Sequence, residues 1–458
     1  MKTRTVLSAA TALSVAWCSA AWADEASERA LAQQVAEMRR QIDELQRRMG
    51  DGSNRGSDEL EQRIAELEKT TKKDSDGLFG YWKNGTKFDS ADGAFKLAII
   101  GRIQDDFTWF SSKDEVTDKL GPTVGGVEFR RARLGFQGTI YKNVFFKAEY
   151  DFAGGAVNYA DVYMEVKDPF CGPGINVRVG HFDEPMGLDH VTSSKYITFV
   201  ERSLLETFVP ARNNGIMLTG ETMENKLQYA LGWFRDSNGG GSDVGNTHFG
   251  EHNITGRVTG RPWINEDGTE YAHLGLSLSR RHPSDEKVKF SSRPEVRVGP
   301  NFVDTGDIAE TSDAFLWGLE GAMVFGPMAM QAEWIRDKLN STGENGGEDH
   351  TFDAKSVEVS SFLTGENREY DTAGGRFDRI KVKKPFGTAG MGAWQVALRY
   401  STLDLNDGNI EGGELTDWTF GVNWHLNNNT RVQLNLIRGK RTDLPSITAV
   451  VMRFQVDF

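Results

Sequence analysis

The sequence predicts an all-β fold, a transmembrane antiparallel β-barrel of about 16 strands preceded by a short N-terminal coiled-coil helix. From about residue 95 to the end, segments of roughly 10 residues alternate apolar with polar side chains, the length a tilted strand needs to cross a bilayer. Alternation alone also fits a soluble sandwich with one wet face. Two further observations favour the barrel: the polar face carries charges besides Ser and Thr, as a wet lumen requires, and the chain ends in Phe458. In the last segment Val450, Met452, Phe454, Val456 and Phe458 share one face, with Arg453, Gln455 and Asp457 on the other.

Composition agrees with hidden alternation rather than continuous cores. Gly 50, Phe 27, Trp 11 and Tyr 10 stand beside only 38% hydrophobic residues. With 2 Cys and 8 His, a disulfide framework is excluded and no metal site or cofactor is expected. The formal net charge of -13 argues against nucleic acid as a partner, because phosphate contacts need a basic face.

The elements follow in order. Lys2 and Arg4 precede an apolar run from Val6 to Ala21, and Ala21-Trp22-Ala23 supplies the small-x-small cleavage pattern, so residues 1–23 read as a signal peptide. Its removal leaves Cys171 as the single cysteine. Leu31, Val35, Met38, Ile42, Leu45 and Met49 recur at spacings of four and three, and Leu60, Ile64 and Leu67 resume them after a Gly-rich break. Residues 24–73 therefore read as a self-associating coiled-coil segment, with an amphipathic helix lying on its own chain as the alternative. The seam residues by themselves lean toward two chains. Residues 74–94 read as a linker to the barrel, 95–458.

Candidate strands lie near 95–110, 127–140, 143–152, 157–167, 175–182, 214–221, 226–235, 252–261, 270–281, 312–325, 328–339, 353–363, 393–404, 414–426, 430–440 and 446–458. Short turns such as Tyr141-Lys142, Gly326-Pro327 and Asn427-Asn428-Asn429 alternate with long loops at 111–126, 236–251 and 282–311, as when one rim is periplasmic and the other external. The long stretch 364–392 falls where a short turn belongs, so it either hides a strand or folds at the periplasmic mouth; nothing in it alternates, which favours the second.

Inward positions carry the chemistry of such a barrel. Ala132, Leu134, Phe136 and Ile140 share the lipid parity, which turns Arg131 and Arg133 into the lumen. Arg102 on the first strand and Arg178 on the fifth extend a cationic strip. Asp106, Glu149, Asp151, Asp161 and Glu165 are also inward and form an expected opposing acidic wall, which would set up a transverse field. The same charges also fit a wall of mutually satisfied ion pairs that only keeps the lumen wet. The connection 183–213 holds Lys195, Arg202 and Arg212, and its middle is too apolar for a solvated loop, so it is expected to fold inward as a constriction. The alternative is an external lid on a neighbouring subunit. No nucleophile and base share a height on the wall, because His181, His190 and His425 have no Ser partner by parity, and no enzyme is expected.

FRRARLGFQG (129–138), TSSKYITFVERSLLETFVPARNNGI (192–216), SSFLTGENREYD (360–371), WQVALRYSTLDLNDG (394–408), GGELTDWTFGVNWHLNNNTRVQLNLIR (412–438) and the terminal FQVDF resemble the phosphate-selective porin O and P family, in order and over 95–458. The resemblance implies a 16-stranded porin in the outer membrane of a Gram-negative-type bacterium, a homotrimer embedded in outer-membrane lipid, with the third external loop folded inward and lysines and arginines guiding anions. Arg131 and Arg133 match its FRRAR motif, and Lys195 and Arg202 lie in its loop motif. The expected function is passive diffusion of small hydrophilic solutes, anions and phosphate-like oxyanions first. The long loops DEVTDK (114–119) and NGGGSDVGN (238–246) carry no basic cluster, which keeps a non-selective diffusion porin as the alternative, beside a structural tether whose periplasmic segment 24–73 contacts the cell wall or a periplasmic partner.

Overall fold

A computed structural model describes residues 77–169, 174–241, 252–283, 286–343, 347–387 and 390–458. The expected signal peptide 1–23 and coiled-coil segment 24–73, and Cys171, lie outside the described residues. The chain divides into two compact units, of which the larger comprises Phe79–Asp89, Gly93–Asp168 and Gly174–Phe458. Little of the smaller is described; within it the Ser90 hydroxyl donates to Asp92 at 2.6 Å.

The larger unit is a closed antiparallel barrel. Its strands are β1 (Lys96–Ser111), β2 (Gly126–Ile140), β3 (Val144–Asp151), β4 (Asn158–Lys167), β5 (Ile175–Asp183) and β6 (Arg212–Thr222). The sheet continues with β7 (Leu227–Arg235), β8 (Asn253–Ile264), β9 (Glu270–Arg281), β10 (Thr311–Phe325), β11 (Met328–Ser341) and β12 (His350–Phe362). It ends with β13 (Ala393–Asp407), β14 (Ile410–His425), β15 (Thr430–Arg441) and β16 (Ile447–Asp457). Each strand pairs with the next, and β16 returns to β1 with Thr448–Asp457 opposite Ser111–Arg102, so the sixteen strands close on themselves. All sixteen expected segments are strands; the largest boundary difference is at β14, expected from 414 and observed from Ile410.

Closure uses the last residue. Phe458 and Gly101 exchange backbone hydrogen bonds at 2.9 and 3.1 Å, and a Cβ on Gly101 would meet the Phe458 ring at 2.6 Å. The expected linker 74–94 contains a hairpin, Leu78–Trp82 with Thr86–Ser90, whose second strand adds to the start of β1 through Thr86–Asp89 opposite Ile99–Lys96.

Outward faces are apolar, with Ile103, Phe136, Leu276, Leu319, Met330, Leu398, Phe420 and Phe454 exposed. Aromatic pairs mark both margins of this belt. Phe95–Tyr141 (4.9 Å), Trp263–Phe325 (5.6 Å) and Trp394–Trp424 (5.4 Å) lie at the short-turn rim, with Trp317–Trp334 (4.5 Å) and Tyr400–Trp418 (4.8 Å) toward the long loops. Such girdles are what a bilayer's two interfaces select. The turn at Tyr141 and Lys142 takes φ of 49° and 67°, the left-handed geometry that lets two residues join twisted strands.

Inside, the two halves of the wall differ. Leu316, Ile335, Leu339, Phe352, Leu403 and Leu415 turn inward from β10–β14 and pack against Leu204, Leu205 and Phe208 of the 183–213 connection and Phe302 of the 282–311 loop. The latter loop, expected to be external, therefore folds back into the barrel. Along β2–β6 the inward face carries charged pairs beside a small apolar patch of Tyr163, Phe182 and Met217, which packs on Phe234 of β7.

The described residues of the stretch 364–392 contain two paired two-residue strands, Tyr370–Asp371 and Arg376–Phe377, and none of barrel length. It reaches the short-turn rim, where Arg379 donates to the Asn428 carbonyl and the Asp457 carboxylate, and enters the lumen, where Tyr370 and His273 share a hydrogen bond of 2.7 Å.

Candidate functional site

The connection between β5 and β6 leaves the long-loop rim and runs back into the barrel. Its apolar side chains Ile197, Phe199, Val200, Leu204, Leu205 and Phe208 are buried, which removes from water the surface that made it a poor external loop. Its backbone polar groups are matched by the wall. Glu333 accepts the Leu188 and Asp189 amides at 2.7 and 2.9 Å, where a one-turn helix, α1 (Leu188–Val191), begins. Farther on, Asn435 accepts the Val200 amide at 2.7 Å, Asn423 donates to the Thr198 carbonyl at 2.8 Å, and Arg431 donates to the Ile197 carbonyl at 2.8 Å.

Arg202, expected to face a passing anion, instead clips the loop to itself. Its guanidinium donates to the carbonyls of Asp189, His190 and Thr192 at 3.0, 2.8 and 3.0 Å. Replacing it with alanine leaves three loop carbonyls without that donor. A loosening of the loop by about 2 kcal/mol is expected, read as faster cleavage between residues 189 and 206 by an added protease; cleavage at the wild-type rate contradicts the clip.

The remaining predicted cations line β1–β6 with acids between them. Arg102 reaches Glu149 at 3.0 Å and the Ser194 hydroxyl at 2.6 Å. Arg133 pairs with Asp151 at 2.8 Å, Arg178 with Glu165 at 2.7 Å, and Arg212 with Asp161 and Asp183 at 2.8 and 2.9 Å. Asp106 is taken by Arg453 at 2.6 Å. The acids thus stand beside the bases on adjacent or next-but-one strands, not across the lumen from them. The reason is register: Arg133 lies opposite Asp151, and Glu165 opposite Arg178, on the same face of adjacent strands. Arg133, Arg178 and Arg212 keep part of their surface open, whereas Arg102 and Arg453 are buried.

Parity missed Arg130. Between β1 and β2 the register slips, with Gln104 opposite Arg131 but Asp105 opposite Phe129, so Arg130 is an extra residue on a bulge. The bulge turns Arg130 inward beside Arg131, where it binds Glu201 of the loop at 2.8 and 3.1 Å. Arg453 reaches the same carboxylate at 2.9 Å. Burial alone would raise the Glu201 carboxyl, but Arg130, Arg453 and Arg131 outweigh it and hold it well below the usual carboxylate range. Lys147, also unforeseen, links Asp161 at 2.5 Å to Glu149 at 3.8 Å; its place on an alternating strand was the available signal.

Two of the predicted cations, Arg131 and Lys195, form no ion pair among the described residues. Among the described residues Arg131 has one polar side-chain partner, Gln104 at 2.9 Å, and forms no ion pair. The Lys195 ammonium has no ion pair either. Burial, then repulsion from Arg102, pushes it down to about 7 against the pull of Asp457 and Glu149. His190, in the same loop, lies 3.0 Å from Glu206 and 3.4 Å from Asp183. Burial would lower its imidazole, but these carboxylates outweigh it and raise it to about 9.

Comparison with known proteins places this geometry. The chain is 30% identical to an uncharacterised protein of Caulobacter vibrioides, over 77% of this chain and 70% of that one. It is 26% identical to Porin O of Pseudomonas aeruginosa, over 78% of this chain and 86% of that one. An anion-selective porin from Comamonas acidovorans superposes with a TM-score of 0.50 at 15% identity, covering 80% of this chain and 100% of that chain. A loop-deletion variant of the outer-membrane protein OmpT of Vibrio cholerae superposes with a TM-score of 0.50 at 13% identity, again over 80% and 100%. The family Phosphate-selective porin O and P matches residues 97–458, which include the whole barrel from β1's second residue, the infolded loop and the terminal Phe458, and the chain belongs to that family of outer-membrane porins.

Proposed function

We propose that the chain lets small hydrophilic solutes diffuse passively across an outer membrane with a preference for anions, phosphate-like oxyanions first. The observation that carries this reading is positive charge without an ion pair among the described residues where the infolded loop meets the wall, at Arg131 and Lys195. Arg102, Arg133, Arg178 and Arg212 guide by proximity, each weakened by its acid, so that an anion is held at several points and tightly at none; that suits conduction. Membership of a family described as phosphate-selective supports the same preference. The proposal includes a homotrimer, a constricting role for 183–213, and a periplasmic helix over 24–73 that contacts the cell wall or a periplasmic partner.

The ion-paired wall supports a second reading, a general pore whose charges mainly keep it wet. Reversal potential across a planar bilayer in a KCl gradient, with phosphate added as competitor, separates the two. Anion selectivity with phosphate block is expected, and it declines several-fold from pH 6 to pH 8, because Lys195 loses its charge as pH rises through about 7. Lys195→Met removes this pH step. Cation selectivity, or none, overturns the anion reading.

A further inference from the structure

The outward face of β12–β15 holds a second set of cations, away from the lumen. One register row reads Lys355, Thr402, Thr416, Lys440 across these four neighbouring strands. The row next to it toward the middle of the belt reads Val357, Tyr400, Trp418, Arg438. Lys355, Lys440 and Arg438 are exposed, whereas Ser356, Ser401 and Asp417 between them in sequence are buried on the lumen side, so the two rows face lipid. The Tyr400 and Trp418 rings lie 4.8 Å apart, and the Lys355 ammonium stands 5.5 Å over Trp334.

None of Lys355, Arg438 and Lys440 forms an ion pair among the described residues. The acids of the row above are otherwise engaged. Asp353 binds Arg336 at 2.8 Å, Asp404 accepts the Asn406 amides at 3.0 Å, and Glu414 accepts the Thr442 hydroxyl at 3.0 Å. Unpaired cations on a lipid-facing wall are costly in hydrocarbon and favourable against an anionic headgroup layer. Three inter-strand steps separate the two lysines, roughly 14 Å. Threonine hydroxyls lie between them, over an aromatic floor of the kind that seats at an interface.

We propose that this face binds a phosphorylated glycolipid of the outer leaflet, one phosphate on Lys355, a second on Lys440 and Arg438, and the sugars over Thr402, Thr416 and the Tyr400–Trp418 pair. The site rests on the membrane orientation of the porin reading and not on its selectivity. Native mass spectrometry of the detergent-purified full chain, titrated with a bisphosphorylated diglucosamine lipid and with its unphosphorylated counterpart, tests it. The wild type is expected to retain the phosphorylated lipid about tenfold or more over the other. Lys355→Ser/Lys440→Ser removes that preference, and Lys226→Ser at the opposite rim keeps it. Equal retention of both lipids by the wild type, or an unchanged preference in the double variant, overturns the proposal. The wild-type comparison decides alone if the double variant does not fold. Reversal potentials recorded on the same preparations separate the two readings: the double variant keeps the wild-type selectivity, and a wild type without anion selectivity fails the pore reading while leaving the lipid result standing.

Discussion

Glu295→Ala is expected to destabilise the barrel by about 3–5 kcal/mol, the cost of stranding a buried charge. Glu295 comes from the infolded 282–311 loop, and its carboxylate binds Arg399 of β13 at 2.5 Å, with both side chains 1% exposed. The Ser401 and Thr419 hydroxyls donate to the same carboxylate at 2.5 Å each, and its backbone amide donates to Asp417 at 2.7 Å. Arg399 also donates to the Glu201 carbonyl at 2.9 Å and lies 4.4 Å over the Phe199 ring, so one guanidinium fastens both infolded loops. Removing the acid leaves that guanidinium dry, with Glu358 at 4.0 Å as its remaining carboxylate among the described residues. Urea unfolding in detergent reads the loss as a lower midpoint, with larger single-channel conductance as the loop leaves the lumen. The double variant Glu295→Ala/Arg399→Met recovers most of the midpoint, because the stranded charge is gone. If the double variant is no more stable than Glu295→Ala, the loss comes from loop packing and not from the charge.

Glu201→Gln is expected to move selectivity the most. The Glu201 carboxylate sits among Arg130, Arg131 and Arg453, with Asp106 the other acid on Arg453. Neutralising it frees a net unit of positive charge where the loop meets the wall. A unit charge at about 4 Å is worth about 1 kcal/mol even in bulk water, near a fivefold gain in anion occupancy. The anion-to-cation permeability ratio therefore rises, and phosphate blocks at lower concentration. Glutamine keeps the side chain's length and can still accept from Arg130, so the loop stays seated and the conductance changes less than the selectivity. An unchanged ratio would mean that passing ions do not feel this cluster.

Much of the barrel is legible in the chain because lipid outside and water inside impose a period of two on every strand. Ile103 beside Arg102 and Leu134 beside Arg133 can face only one way each, and the strand count follows. The infolded 183–213 connection is legible for the same reason, since Ile197, Phe199 and Leu204 have no place in an external loop. The inward turn of 282–311 is not, because Glu295 reads as one more charge in a polar loop until Arg399 is brought beside it. Arg130 is hidden by its bulge: a register slip leaves no local mark, and strict alternation assigns it to lipid.

What the sequence determined by itself is thus which side chains face lipid and which face the lumen, because that choice is made residue by residue by solvent. Which lumen charges neutralise one another only the tertiary structure decided. Glu149 lies 47 residues from Arg102, Glu295 lies 104 from Arg399, and Arg453 lies 347 from Asp106. Coulomb attraction at 3 Å depends on the register of neighbouring strands and the path of returning loops, and neither is written in local periodicity. The predicted opposing walls became one interleaved wall for that reason, and the acid that holds both Arg130 and Arg453 came from the loop.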